Sequence, residues 1–125
     1  MMKDIVCFFL ACLFIGGLTA FADTESQENN PTETINYLLS FVENSGCIFI
    51  RNDKEHTAED AVVHIHKKYE HFKNKIKTPE DFIRLTATKS LLTDKPYSVK
   101  LKDGRTIKSE VWLLEALEAY RAKQK

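Results

Sequence analysis

Residues 57–83 read TAEDAVVHIHKKYEHFKNKIKTPEDFI. Val62, Ile65, Tyr69, Phe72 and Ile76 recur in steps of three and four, the period of one helix face. Thr57 stands where an N-cap belongs, and Glu59 and Asp60 place negative charge on the first turn. Lys67, Lys68, Lys73, Lys75 and Lys77 crowd the far end, where the helix dipole favours cations. Thr78-Pro79-Glu80-Asp81 then restarts a helix, with Thr as cap, Pro at the first helical position and two acids behind it. Phe82, Ile83 and Leu85 are expected to face inward from it. The stretch thus predicts a long helix followed by a short one.

On both sides the patterning changes. Upstream, Ile35, Leu38, Leu39 and Val42 mark another helix over residues 32–44, with Pro31 before it and Gly46 as a left-handed exit. Ile48-Phe49-Ile50 reads as a short buried strand opened by Cys47, Asn52-Asp53 as a tight turn, and Glu55-His56 as a brief return strand. Downstream, residues 86–96 are rich in Thr, Ser and Lys, with Leu91-Leu92 expected to anchor the loop. Residues 97–101 alternate as a half-buried strand, Asp103-Gly104 signals a hairpin, and residues 105–108 return. Ser109 is expected to cap a last helix that buries Trp112, Leu113, Leu117 and Tyr120. The order predicts an α+β domain: four helices packed on a small antiparallel sheet, single, compact and helix-rich, with the helices on one face.

The N-terminus predicts where the protein works. Lys3 precedes an unbroken apolar run over residues 5–18, and Ala20-Phe21-Ala22 supplies small residues before the polar Asp23. This is the pattern of a secretory signal. The run is shorter than the ~20 residues of a spanning helix, and Gly16-Gly17 interrupts it. A retained anchor, or a lipoprotein cleaved at Cys12, fits less well. The expected organisation is a cleaved signal over residues 1–22, a polar leader over 23–31 and one globular domain over 32–122, in a periplasmic protein with no stable membrane insertion after cleavage.

Charge and cysteine content narrow the function classes. The chain has 18 basic and 18 acidic side chains. The signal removes Lys3 and Asp4, one of each, so the balance stays at zero. A neutral domain is a poor polyanion binder, so no nucleic acid is expected as partner. Cys7 and Cys12 leave with the signal, and Cys47 is expected to be a buried free thiol.

Candidate chemistry is sparse. Four histidines lie between residues 56 and 71. His64 and His71 are seven apart with Lys68 between them, and His66 and Glu70 make only a two-ligand pair. No metal site and no cofactor are expected, and these helix histidines are read as solvated. His56 sits near Arg51, Asn52 and Asp53 across the turn, a grouping suited to anion contact, proton transfer or a hydrogen-bonded turn. Thr86, Thr88 and Ser90 offer hydroxyls beside Lys89, which suits an anion contact or a polar loop better than a nucleophile.

Phe49-Ile50-Arg51-Asn52, His56-Thr57-Ala58-Glu59-Asp60-Ala61, His64-Ile65, the run over residues 76–83, Ala87, Ser90 and Lys95-Pro96-Tyr97 together resemble domain-of-unknown-function family 5329, small exported proteobacterial proteins. The resemblance spans residues 35–120. It implies a single periplasmic domain and no particular reaction. That family usually carries Gly at the second turn position, where Asp53 stands, and in the later loop, where Asp94 stands.

The combined expectation is an uncharacterised periplasmic protein acting as a non-enzymatic binding or interaction module. Its expected site is Arg51, Asn52, His56, Thr57, Ser90 and Lys95, with no catalytic residue. Arg51 would contact an anionic or carbonyl group of an unknown envelope protein or small ligand. The alternative is a small envelope hydrolase or lyase with His56 as general base.

Overall fold

The computed structural model describes residues 30–124. The expected signal over 1–22, and all of the leader up to residue 29, lie outside the described residues. Elements follow in the order α1 (Pro31–Glu43), β1 (Ile48–Arg51), β2 (Lys54–His56), α2 (Ala58–Phe72), a 3-10 turn (Lys73–Lys75), α3 (Pro79–Thr86), β3 (Ser98–Lys100), β4 (Thr106–Lys108) and α4 (Ser109–Lys123). Among the described residues the fold is α+β, four helices with a four-stranded antiparallel sheet in the order β2-β1-β3-β4.

Local signals set most boundaries. The Thr57 side chain accepts from Asp60 N at 3.1 Å and caps α2. At α3, Thr78 Oγ1 accepts from Asp81 N, and Asp81 Oδ2 accepts from Thr78 N, a reciprocal capping box. Asn30 caps α1 through its side-chain oxygen, which accepts from Thr32 N. The β1–β2 turn places both Asn52 (φ 53°) and Asp53 (φ 67°) in the left-handed region. That pair of angles is what a two-residue hairpin of the I′ kind needs, and Asn and Asp tolerate it better than other non-glycine residues. Asp94 does the same in the later loop, at φ 63°.

Sheet register decides which strand residues meet the helices. Phe49 pairs with Val99, and Val99 with Ile107, across β1, β3 and β4. Phe49 and Val99 are buried in the same cluster as Leu38, Val42, Ile65, Phe82, Ile83, Leu113 and Leu117. Each such side chain contributes roughly 1.5–3 kcal/mol through burial. An aromatic seam joins α1 to α4: Tyr37 stacks on Tyr120 at 4.3 Å, and Phe41 meets Trp112 at 4.8 Å. Arg121 of α4 holds Glu80 of α3 through two hydrogen bonds, 2.6 and 3.1 Å. Cys47 is buried and free.

Four details differ from the sequence expectation. Helix α2 stops at Phe72, and Ile76 lies beyond the 3-10 turn, so the regular apolar stripe is not the most buried face. That face is Ala58, Ala61, Ile65 and Lys68, while Val62, Tyr69 and Phe72 are half-buried. Lys68 is 8% exposed. Leu91 and Leu92 do not anchor their loop: they are 64% and 94% exposed. The loop is held instead by Ser90, whose hydroxyl accepts from Leu92 N and Thr93 N. Ser109 is not a cap either. It is the first residue of α4, buried, and its N–H donates to Tyr97 O at 2.9 Å, while Lys108 takes the cap position without a side-chain bond.

Candidate functional site

The site forms where the end of β1 meets the middle of α2 and the residue leading into β3. Strand alternation puts Arg51 on the same face as Phe49. Continuing the β1–β3 register beyond the Ile50–Ser98 pair places Arg51 beside Tyr97. The Tyr97 backbone is fixed at both ends, its N–H to Thr88 O and its carbonyl to Ser109 N, each at 2.9 Å. His64 and Lys68, one helical turn apart on α2, face it.

These side chains form a directed chain. Lys68 Nζ donates to Lys89 O at 3.0 Å and to Tyr97 Oη at 3.4 Å. His64 Nε2 lies 3.2 Å from Tyr97 Oη. Lysine has no acceptor, so the phenol proton is directed to His64 Nε2. That assigns neutral His64 the tautomer with its proton on Nδ1. Arg51 is half-buried, and its side chain makes no hydrogen bond or ion pair among the described residues.

The electrostatics point one way. Burial, followed by the charges of Arg51, Lys68, His56 and Lys67, pushes His64 down from 6.5 to about 4. Burial and then Arg51 lower Lys68 below the usual lysine range. Burial raises Tyr97 above the usual phenol range, and Arg51 opposes that. No carboxylate contributes to any of the three shifts. The acids beside Arg51 and Tyr97 in sequence are engaged elsewhere: Asp53 with Lys95 at 2.7 Å, Asp94 with Lys89 at 2.8 Å, and Glu55 with Lys100 at 3.9 Å. A cleft of about 290 Å³, counting its open mouth, is lined by Arg51, His64 and Tyr97 together with Phe49, Ala61, Ile65 and Ala87. Its polar groups offer donors and positive charge, which is the complement of an anion.

The six residues singled out from sequence divide into three groups. Arg51 faces the cleft, and His56 is half-buried and close enough for its charge to act on His64. Thr57 caps α2. Asn52, Ser90 and Lys95 come together across 38 to 43 residues of chain, but as a staple between the β1–β2 turn and the loop before β3. Asn52 Nδ2 donates to Ser90 Oγ at 3.5 Å, Thr93 Oγ1 donates to Asn52 Oδ1 at 2.6 Å, and Lys95 Nζ reaches Asp53. The other hydroxyls of this segment are spent on backbone: Thr86 donates to Phe82 O and Thr88 to Ile83 O.

His64, Lys68 and Tyr97 escaped the sequence reading, which left His64 in solvent and Lys68 as one charge of a basic helix end. One signal was present: Ala58, Ala61, Ile65 and Lys68 step by three, four and three, so Lys68 sits on a face of otherwise small or apolar residues. His66 and Glu70 are exposed and 4.0 Å apart. Among the described residues no three of His, Cys, Asp and Glu converge as metal ligands, and no helix is long and apolar enough to cross a membrane.

A small α+β domain with a basic, carboxylate-free cleft is what fold and site define. The chain belongs to the family of unknown function DUF5329, whose model matches residues 29–121. It is similar to the uncharacterised protein YfeK of Salmonella typhimurium (strain LT2), at 37% identity over 97 residues, 77% of each chain. No solved structure matches it.

Proposed function

We propose that this protein is an exported, periplasmic, non-enzymatic binding module that holds an anionic group of a ligand or partner in the cleft at Arg51. The observation that carries this reading is Arg51, a half-buried residue lining the cleft whose guanidinium has no carboxylate partner among the described residues. A buried cation costs free energy unless something pairs with it, and an incoming carboxylate or phosphate supplies the pair. His64 completes the contact through its Nδ1–H, while Tyr97, held from behind by Lys68, fixes the imidazole from its other nitrogen. The hydrolase alternative needs a second titratable group within hydrogen-bond reach of His56, and the His56 ring has no hydrogen bond among the described residues.

Export rests on the three-part pattern of residues 1–22. N-terminal sequencing of the native protein from a periplasmic fraction should begin at Asp23. A cytosolic product beginning at Met1 would overturn the location. For the site, titrating the purified protein with sodium acetate and then with inorganic phosphate, followed by NMR, should move the Arg51 Nε–H and Tyr97 signals, and Arg51→Gln should abolish the Tyr97 shift at unchanged melting temperature. Wild-type signals indifferent to both anions would refute it.

A further inference from the structure

The cleft has a second character besides its charge. Apart from Arg51, His64, Tyr97 and two serines, Ser98 and Ser109, its walls are apolar: Phe49, Ile50, Ala61, Ile65 and Ala87. Ala61 and Ala87 are buried, so the free space there exists because two side chains stop at Cβ. We propose that the anion bound is a carboxylate on a short apolar stem, of the kind carried by a peptide ending in alanine or by a free short-chain acid. This rests on the reading of Arg51 given above and narrows its ligand class.

Three features separate this ligand from a phosphate. Arg51 is the one permanently charged donor lining the cleft, its guanidinium has no partner among the described residues, and a planar fork matches one planar carboxylate through two parallel bonds. Lys68 is outside the lining and already donates to Lys89 O and Tyr97 Oη. Apolar walls make dehydration of a doubly charged group far costlier than that of a singly charged one. Only about 20 Å³ of the cleft is enclosed space that a water-sized body can enter, room for little more than one small group. A nucleotide or a sugar phosphate would therefore remain mostly outside. A short stem can lie in the mouth of the cleft, its end towards Ala61, Ile65 and Ala87, while its head meets Arg51 and the His64 Nδ1–H.

The test uses the purified protein and a ligand series: acetate, propionate, butyrate, N-acetylalanine, N-acetylalanine amide and inorganic phosphate. Binding is followed by NMR at the Ala61 and Ala87 methyls and at Arg51 Nε–H. Affinity should rise about fourfold for each methylene from acetate to butyrate. N-acetylalanine should bind at least tenfold more tightly than its amide. Butyrate binding above N-acetylalanine assigns a free acid, and the reverse order assigns a peptide terminus; both support the carboxylate. Phosphate moving Arg51 at lower concentration than every carboxylate would overturn this inference and leave the anion site standing. An affinity flat from acetate to butyrate would also overturn it. Movement of none of these signals by any anion would remove both. The series needs no variant, so it decides the matter even if Arg51→Gln fails to fold.

Discussion

Acidification should weaken this fold through His64, and the size of the effect follows from its surroundings. In the fold its pKa is pushed down to about 4, against 6.5 for a free histidine, by burial first and then by Arg51, Lys68, His56 and Lys67. The unfolded chain therefore binds the proton more tightly than the native one. Between pH 6.5 and 4 the unfolded state carries more protons, so stability rises with pH and is lost as pH falls through that window. Two and a half units at about 1.36 kcal/mol each set a ceiling of roughly 3.4 kcal/mol. His64 is only half-buried, so water screens part of this, and about 1–2 kcal/mol is the expected loss. Urea unfolding of the wild type and of His64→Gln, at pH 7 and pH 4.5, isolates the term from other titrating groups. The variant should lose about 1–2 kcal/mol less on acidification. Equal losses in both proteins, or an NMR titration placing His64 above pH 6, would refute the buried, cation-surrounded imidazole. A carboxylate ligand should reverse part of the shift, so that binding tightens as pH falls from 6.5 towards 4.

Replacing Leu91 and Leu92 together with Ser should change the urea midpoint by less than about 0.5 kcal/mol, since both side chains already face solvent. A larger loss would show that the loop does anchor there. Thr78→Ala removes one half of the α3 capping box and should cost about 1 kcal/mol by urea unfolding. Phe82→Ala empties a site 1% exposed at the centre of the cluster and should cost about 3–5 kcal/mol, measured the same way.

The local grammar of the chain was legible because its causes act over four residues or fewer. Thr57 and Thr78 bond to N–H groups three positions on, Asn52-Asp53 turns the chain within a hairpin, and the helix period emerges from backbone geometry alone. These signals located four helices and two hairpins and fixed the order in which they run. The apolar positions Ile35, Leu38, Val42, Phe82, Ile83, Trp112, Leu113 and Leu117 could be read as core for the same reason.

Tertiary structure decided everything that depends on what a distant segment brings to a side chain. Lys68 and His64 look like solvated positions on a basic helix until the loop before β3, 21 to 33 residues away, lays Lys89 O and the Tyr97 hydroxyl over them. Leu91 and Leu92 look like core until Asn52 and Ser90 tie the loop down by hydrogen bonds and leave the leucines outside. Arg51 was visible as a residue worth testing, but its isolation from carboxylates was not, since that depends on Asp53, Asp94 and Glu55 each finding a lysine elsewhere. Periodicity records which residues share a face of an element, whereas burial and charge pairing record which elements meet, and that information resides in contacts across thirty to forty residues of chain.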